Sequence, residues 1–468
     1  MHGDPLMLCK SQAMIVKPVT GTPNLLLGAY GLATLGYEAR EFFVSGSAAR
    51  HAKPFDTAEF TTRIVVLTPT DANRFSGTVV VEWLNVSGGI DAPAVWLMAH
   101  RELVRAGHAF VAVSAQRVGV EGGASLGMDM SLKTLDPSRY GPLHHPGDAY
   151  AYDVFSQIGR LVRERAADVL GGLTPEAVVA VGESQSALFL TTYVNVVDPL
   201  AQVYDGFLVH SRFGPAAPLD GSSIFDDSGA AAPEAVPFVQ DLRVPVMTVI
   251  TETDLVGGVR AGYYAARQPD SQRLRTWEIP GTAHADNYTI KVGFIDSGSA
   301  PLADLVAAYA PTSSLMGRQL PHCINNAPQH HYVLQAAIAQ LVDWVRSETA
   351  PPSAPPIDLT ATDPPQLIGD DHGLATGGVR TPWVEVPVAR TSGLCAADDV
   401  LALLFGSSER FGAGPLAVLY PGGSADYLTK FTASLDATIA AGFLRADDRQ
   451  EILDLAAATY PAPSREDP

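Results

Sequence analysis

Between residues 37 and 349 two hydrophobic rhythms replace one another along the chain. Some stretches are short and continuously apolar: Thr78–Asn85 (TVVVEWLN), His108–Ser114 (HAFVAVS), Ala177–Gly182 (AVVAVG) and Val244–Thr251 (VPVMTVIT). Such runs predict β-strands covered on both faces, as in a parallel sheet. Earlier strands are expected at Tyr37–Ser45 and Phe60–Thr68, the second alternating as a half-exposed strand does, and a later one at Leu274–Ile279. Between them the apolar spacing lengthens to the helical period. Helices are predicted over Pro93–Ala106, over Tyr152–Arg165 with Val154, Phe155, Ile158, Leu161 and Val162 on one face, and over His330–Arg346. Strands alternating with helices predict an α/β protein with a mostly parallel sheet and helices on both faces.

Three long connections break the rhythm: Arg117–Tyr150, Arg212–Asp241 and Ile290–Gln329. Long connections in a compact domain are usually functional, and these are expected to cover the C-terminal edge of the sheet. The proline-rich stretch 350–365 reads as an extended linker. Beyond it, Pro382–Val388 reads as a short strand, and 397–405, 425–441 and 445–459 as helices. The expected organisation is therefore a catalytic domain at 1–349 with cap insertions, a linker at 350–365, and a mostly helical extension at 366–468.

Composition narrows the classes. Apolar residues make up 47% and charged residues 17%, which is globular rather than disordered composition. The net charge of −19 repels phosphate backbones and anionic headgroups, so nucleic acid and membrane surfaces are poor partners and a small molecule is the better one. Cys9, Cys323 and Cys395 lack metal or redox spacing, so no metal site is expected. No secretory segment is visible at the start and no apolar stretch reaches membrane-spanning length. A cytoplasmic location is expected, with secretion left open.

Two segments could carry a nucleophilic serine. Gly123-Ala-Ser125-Leu-Gly127 fits G-x-S-x-G in full, and Gly182-Glu-Ser184-Gln-Ser186 fits it with serine in the last place. Context separates them. The chemistry needs a tight turn between a buried strand and a helix, which lifts the hydroxyl above the sheet edge. Ser184 follows the strand AVVAVG and precedes the helix-compatible QSALFLTTYV, whereas Ser125 sits in a glycine-rich loop with no strand before it. The plain alternative for Ser184 is a helix N-cap.

A serine hydroxyl needs a base, and the base needs an orienting carboxylate. After Ser184, the strand VPVMTVIT ends in Glu252-Thr253-Asp254, and the strand LRTWEI is followed by the turn Pro280-Gly-Thr-Ala-His284. One helix, Gly258–Arg267, is expected between them. His284 is therefore the candidate base and Asp254 the favoured acid, with Glu252 as the alternative. Backbone donors for a tetrahedral intermediate are expected at Gln185, next to the nucleophile, and at Val86 or Asn85 in the glycine-containing loop Asn85–Gly89. Arg117, Tyr140, His144, His145 and Tyr263 are candidates for the mouth of the site. No cofactor is required by this chemistry.

These segments carry a resemblance. EWLNVSGG, SAQRVGV, LKTLDPSRYGPLHHPGDAYAYDVFSQ, VGESQSA, TETD, RQPDS and PGTAHAD, with PWVEVPVAR and AVLYPGG in the tail, together resemble the bacterial α/β-hydrolase-domain family with a GESQS elbow. The resemblance implies an α/β-hydrolase fold and carboxylic-ester hydrolase activity, with the nucleophile at Ser184 and the histidine at His284. It does not choose between Glu252 and Asp254. Acyl transfer by the same triad, or a non-catalytic hydrolase-like binding protein, are the rival expectations.

Overall fold

The computed structural model describes residues 14–123, 125–224, 234–258, 260–396 and 399–461. Cys9, the start of the chain, part of the Arg212–Asp241 connection and the first residues of the helix expected at 397–405 lie outside that description. The seven expected strands, joined by two that were not expected, β1 and β7, form one sheet of nine: β1 (Ile15–Val19), β2 (Tyr37–Ala49), β3 (Thr57–Pro69), β4 (Thr78–Trp83), β5 (Ala109–Val113), β6 (Ala177–Glu183), β7 (Gly206–His210), β8 (Val246–Thr251) and β9 (Leu274–Ile279), in the order β1-β2-β3-β5-β4-β6-β7-β8-β9. β1, β2 and β3 are antiparallel, and β3 meets β5 antiparallel. From β5 to β9 every pairing is parallel.

Side chains alternate between two cores, one on each face of the sheet. Val65, Leu67 and Val80 pack with the helices Ala94–Arg105 and Gln329–Ser347, while Ile64, Val66, Val79 and Val81 face the helices Ala151–Glu164 and Gln185–Thr192. The buried carboxylate of Glu82 accepts the amides of Val95 and Trp96 and so caps the first helix. Burial pushes its pKa up to about 8 against the pull of those amides.

The tail packs onto the first of these cores. Phe431 and Leu435 on the helix Ser424–Ala440, and Ile452 and Leu455 on Arg449–Thr459, join Tyr332 and Leu334 there. The proline-rich stretch runs extended past β9: Arg275 and Trp277 donate to the carbonyls of Pro351 and Pro352, and Ile357 N–H donates to Glu278.

Three expected elements differ; Phe60–Thr68, expected half-exposed, lies within β3 between β2 and β5 and is mostly buried. The helix expected at Gly258–Arg267 is instead a turn at Glu252–Val256, with a short 3-10 segment at Tyr263–Ala266. Asp254 and Thr251 form a capping box that starts the helix early, and Gly257 and Gly258 at positive φ end it. The strand expected at Pro382–Val388 is a helical turn, Pro382–Glu385, with proline in its first position, and the strand follows at Ala389–Ser392.

Candidate active site

The chain runs from β4 to β5 on one side and then crosses to β6 on the other, so the carboxyl ends of β4 and β6 flank a topological switch point. Register sets what gathers there. Glu183 at the end of β6 pairs with His210 at the end of β7, and Thr251 of β8 pairs with Ile279 of β9. The next residues are therefore Ser184, the Glu252–Asp254 turn and the loop to His284.

Ser184 sits between β6 and the helix Gln185–Thr192 with φ 54° and ψ −115°, a region side chains other than glycine rarely occupy. Such backbone costs about 1–3 kcal/mol and persists only where its surroundings hold it. Here Ser184 N–H donates to His210 O at 2.9 Å, and Glu183 N–H donates to Ser186 Oγ, which donates back to Glu183 O. Ser186 thus closes the turn with its hydroxyl. A Cβ on Gly182 would meet Leu190 Cδ1 at 2.9 Å and Ser186 Oγ at 3.1 Å, which is why that position carries none.

The two carboxylates after β8 point in different directions. Asp254 Oδ1 lies 2.6 Å from His284 Nδ1, and its Oδ2 accepts from Thr251 N and Oγ1. Glu252 turns away from the ring and accepts from Gly281 N, Gly393 N and Ser392 Oγ. It therefore ties the His284 loop to the tail. Thr253 Oγ1 accepts His284 N–H and donates to Gly393 O. Phe213 stacks on the imidazole, ring centres 5.3 Å apart. Burial works against protonation of His284, but the Asp254 carboxylate, with a smaller push from Glu183, outweighs it and holds the pKa above its ordinary 6.5.

Ser184 and His284 line one cavity of about 310 Å³. Its apolar walls include Leu97, Met98, Leu188 and Phe213. Each long connection contributes to it, through Leu126, Phe213 and Met316, and the tail contributes Leu404. A larger cavity of about 700 Å³ opens near the amino ends of β6 and β8, where Glu176, Asp205, Arg243 and Arg346 line it without a serine or histidine.

Of the expected oxyanion donors, Gln185 opens its helix, where an amide has no intrahelical acceptor. Its side chain exchanges hydrogen bonds with Gln116, and its Oε1 also accepts Val86 N–H at 3.3 Å. Asn85 N–H is taken by Ala92 O, so Val86 holds the only weakly engaged amide of those two. Asn85 instead uses its side-chain amide to bind Glu183 O and Oε2.

The expected mouth residues lie elsewhere. Tyr140 is buried against Phe43 and donates to Glu41. His144 is exposed in a bridge to Thr61, and His145 is buried with Nε2 on Ala115 O. Tyr263 packs under the Arg212 guanidinium. Arg117 lines a neighbouring cavity beside Val86 and Gln185, not the one holding Ser184. Polar residues in long loops can turn inward to satisfy the fold as readily as face a site, so sequence position alone misplaced these five. Ser125 donates to Gly127 O within its own loop. Among the described residues no cluster of three or more histidine, cysteine or carboxylate side chains could hold a metal, and no helix is long and apolar enough to cross a membrane.

A family model described as alpha/beta hydrolase domain matches residues 15–454. The chain belongs to the alpha/beta hydrolase domain family. No curated protein matches this hydrolase. Among solved structures it is similar to a putative dienelactone hydrolase from Klebsiella pneumoniae, with 11% identity, 57% of this chain and 95% of that one covered, and a TM-score of 0.31. It is also similar to an esterase from Pyrococcus furiosus, with 10% identity, 55% and 87% covered and a TM-score of 0.31. A fungal esterase from Rhizomucor miehei is 13% identical over 67% of this hydrolase and 86% of its own chain, with a TM-score of 0.29.

Proposed function

We propose that this hydrolase cleaves carboxylic esters through an acyl-enzyme intermediate. The observation that carries the reading is the 2.6 Å contact between Asp254 and His284, whose ring lines the same cavity as the strained Ser184. Asp254 holds the proton on Nδ1, leaving Nε2 to accept the Ser184 hydroxyl proton as Oγ attacks the ester carbonyl. His284 then returns that proton to the leaving alcohol, and water repeats the cycle to release the acid. Gln185 N–H is the first oxyanion donor. Val86 N–H becomes the second when the developing oxyanion replaces the long contact to Gln185 Oε1.

The apolar walls favour an uncharged small-molecule ester. The tail belongs to this working unit, since Gly393 and Ser392 hold Glu252 and Leu404 O accepts Ala285 N–H beside the base. Turnover of a short-chain aryl ester tests the reading. Ser184→Ala is expected to abolish it with the melting temperature retained, and a near-normal rate would remove Ser184 from the mechanism.

A further inference from the structure

A third carboxylate stands at the site. Glu183 directly precedes Ser184, lines the same cavity, and places Oε1 3.5 Å from His284 Nε2. The imidazole is therefore flanked by Asp254 on its Nδ1 edge and Glu183 on its Nε2 edge. Glu183 is not there by default. Asn85 donates its side-chain amide to both the backbone carbonyl and Oε2 of Glu183, which fixes the other oxygen toward the ring. Its side chain is only 12% exposed, so little solvent screens it from the ring.

We propose that Glu183 is a positioning residue, a second carboxylate partner of His284 that stabilises the imidazolium from the edge facing the nucleophile. Resting on the triad reading above, this gives the pair of carboxylates separate roles. Asp254 sets the tautomer of the ring. Glu183 strengthens the base and favours the charge that develops on it as the serine proton is transferred. The cost is a base that stays protonated to higher pH, so the hydrolase works on the alkaline side.

The other groups around the ring do not duplicate this. Phe213 covers its face, and His210, at the end of β7, is held neutral by burial. His330, on the helix Gln329–Ser347, bonds to His210, and Asp286 lies beside His330. Arg260 also lines the cavity and donates to Ile224 O. Burial holds the Glu183 carboxyl above its ordinary range, with the His284 ring and the Asn85 amide pulling it back down.

The test is Glu183→Gln, which keeps an acceptor for Asn85 and removes the charge. Two readouts are followed across pH: kcat/KM on a neutral ester, and the low-field proton resonance of His284 Nδ1–H. Both transitions are expected to move down by about one pH unit or more, the usual effect of an opposite charge at this range. The kcat at the alkaline plateau should fall severalfold. Glu183→Asp, which withdraws the charge by one methylene, should move both transitions less in the same direction, and serves if the glutamine variant does not fold. Transitions within about 0.2 unit of the parent in the folded variant would overturn the proposal. The resonance reports on Glu183 even if Ser184→Ala retains turnover, so failure of the triad reading and failure of this one are told apart.

Discussion

Replacing Asp254 by asparagine should disable catalysis while leaving the fold nearly intact. The substitution keeps an oxygen for the two Thr251 donors on Oδ2 but turns an NH₂ toward His284 Nδ1, now 2.6 Å from a carboxylate oxygen. Two effects follow. An opposite charge about 4 Å from the imidazolium is worth about 4 kcal/mol at an effective permittivity of about 20, or about three decades of rate. The amide also favours the tautomer with its proton on Nε2, which cannot accept from serine; in a serine protease triad the same change lowers kcat about 10⁴-fold. A thousandfold or greater fall in kcat on an aryl ester is expected, with little change in melting temperature. Glu252→Gln supplies the contrast. It replaces the acceptor of three bonds, and each bond to a charged acceptor contributes about 1.5–3 kcal/mol. Its melting temperature should fall, while kcat falls less than about tenfold. The reverse pattern, with Glu252→Gln losing more kcat at unchanged stability, would refute the assignment of the acid.

Other consequences are as direct. Because the pKa of His284 lies above 6.5, kcat/KM should drop tenfold per pH unit below it. The sign for stability is opposite: protonation of His284 contributes fully below about pH 6.5 and that contribution is lost as pH rises through the folded-state pKa, so urea unfolding of His284→Ala should approach the parent at alkaline pH. Ser392→Ala deletes a 2.7 Å bond to Glu252 and should cost about 1–3 kcal/mol in denaturant unfolding, showing that the tail secures the histidine loop. Gly182→Ala should destabilise by about 1–3 kcal/mol, because its Cβ would sit 2.9 Å from Leu190 Cδ1. Tyr140→Phe should lower the melting temperature through the lost bond to Glu41 and leave kcat/KM within about twofold, consistent with its distance from the site.

What the sequence made legible follows the strength of local signals. Strands apolar on nearly every residue, such as VVVEW and AVVAVG, are expected to be buried on both faces, and they appear where expected. β7 leaves little trace in the sequence because its five residues, GFLVH, fall between two irregular stretches. The sequence suggests a later helix in the crossover after β8 because the Thr251–Asp254 capping box resembles a strand end. The candidate serine, acid and histidine are legible because each follows a strand, a one-dimensional property. The direction of a side chain is not: Glu252 and Asp254 sit two residues apart, and only the helical turn sends one to the histidine and the other to Gly393. The signal for Glu183 is a carboxylate that ends a buried strand beside the candidate nucleophile. Nothing in the tail's own sequence discloses that Leu404 lines the cavity.

Covalent trapping bears most directly on the whole account. After reaction with a fluorophosphonate ester and proteolysis, mass spectrometry should find the adduct on the peptide containing Ser184. Labelling should vanish in Ser184→Ala and slow by orders of magnitude in His284→Ala. An adduct on Ser125 or another hydroxyl, or undiminished labelling without His284, would contradict it.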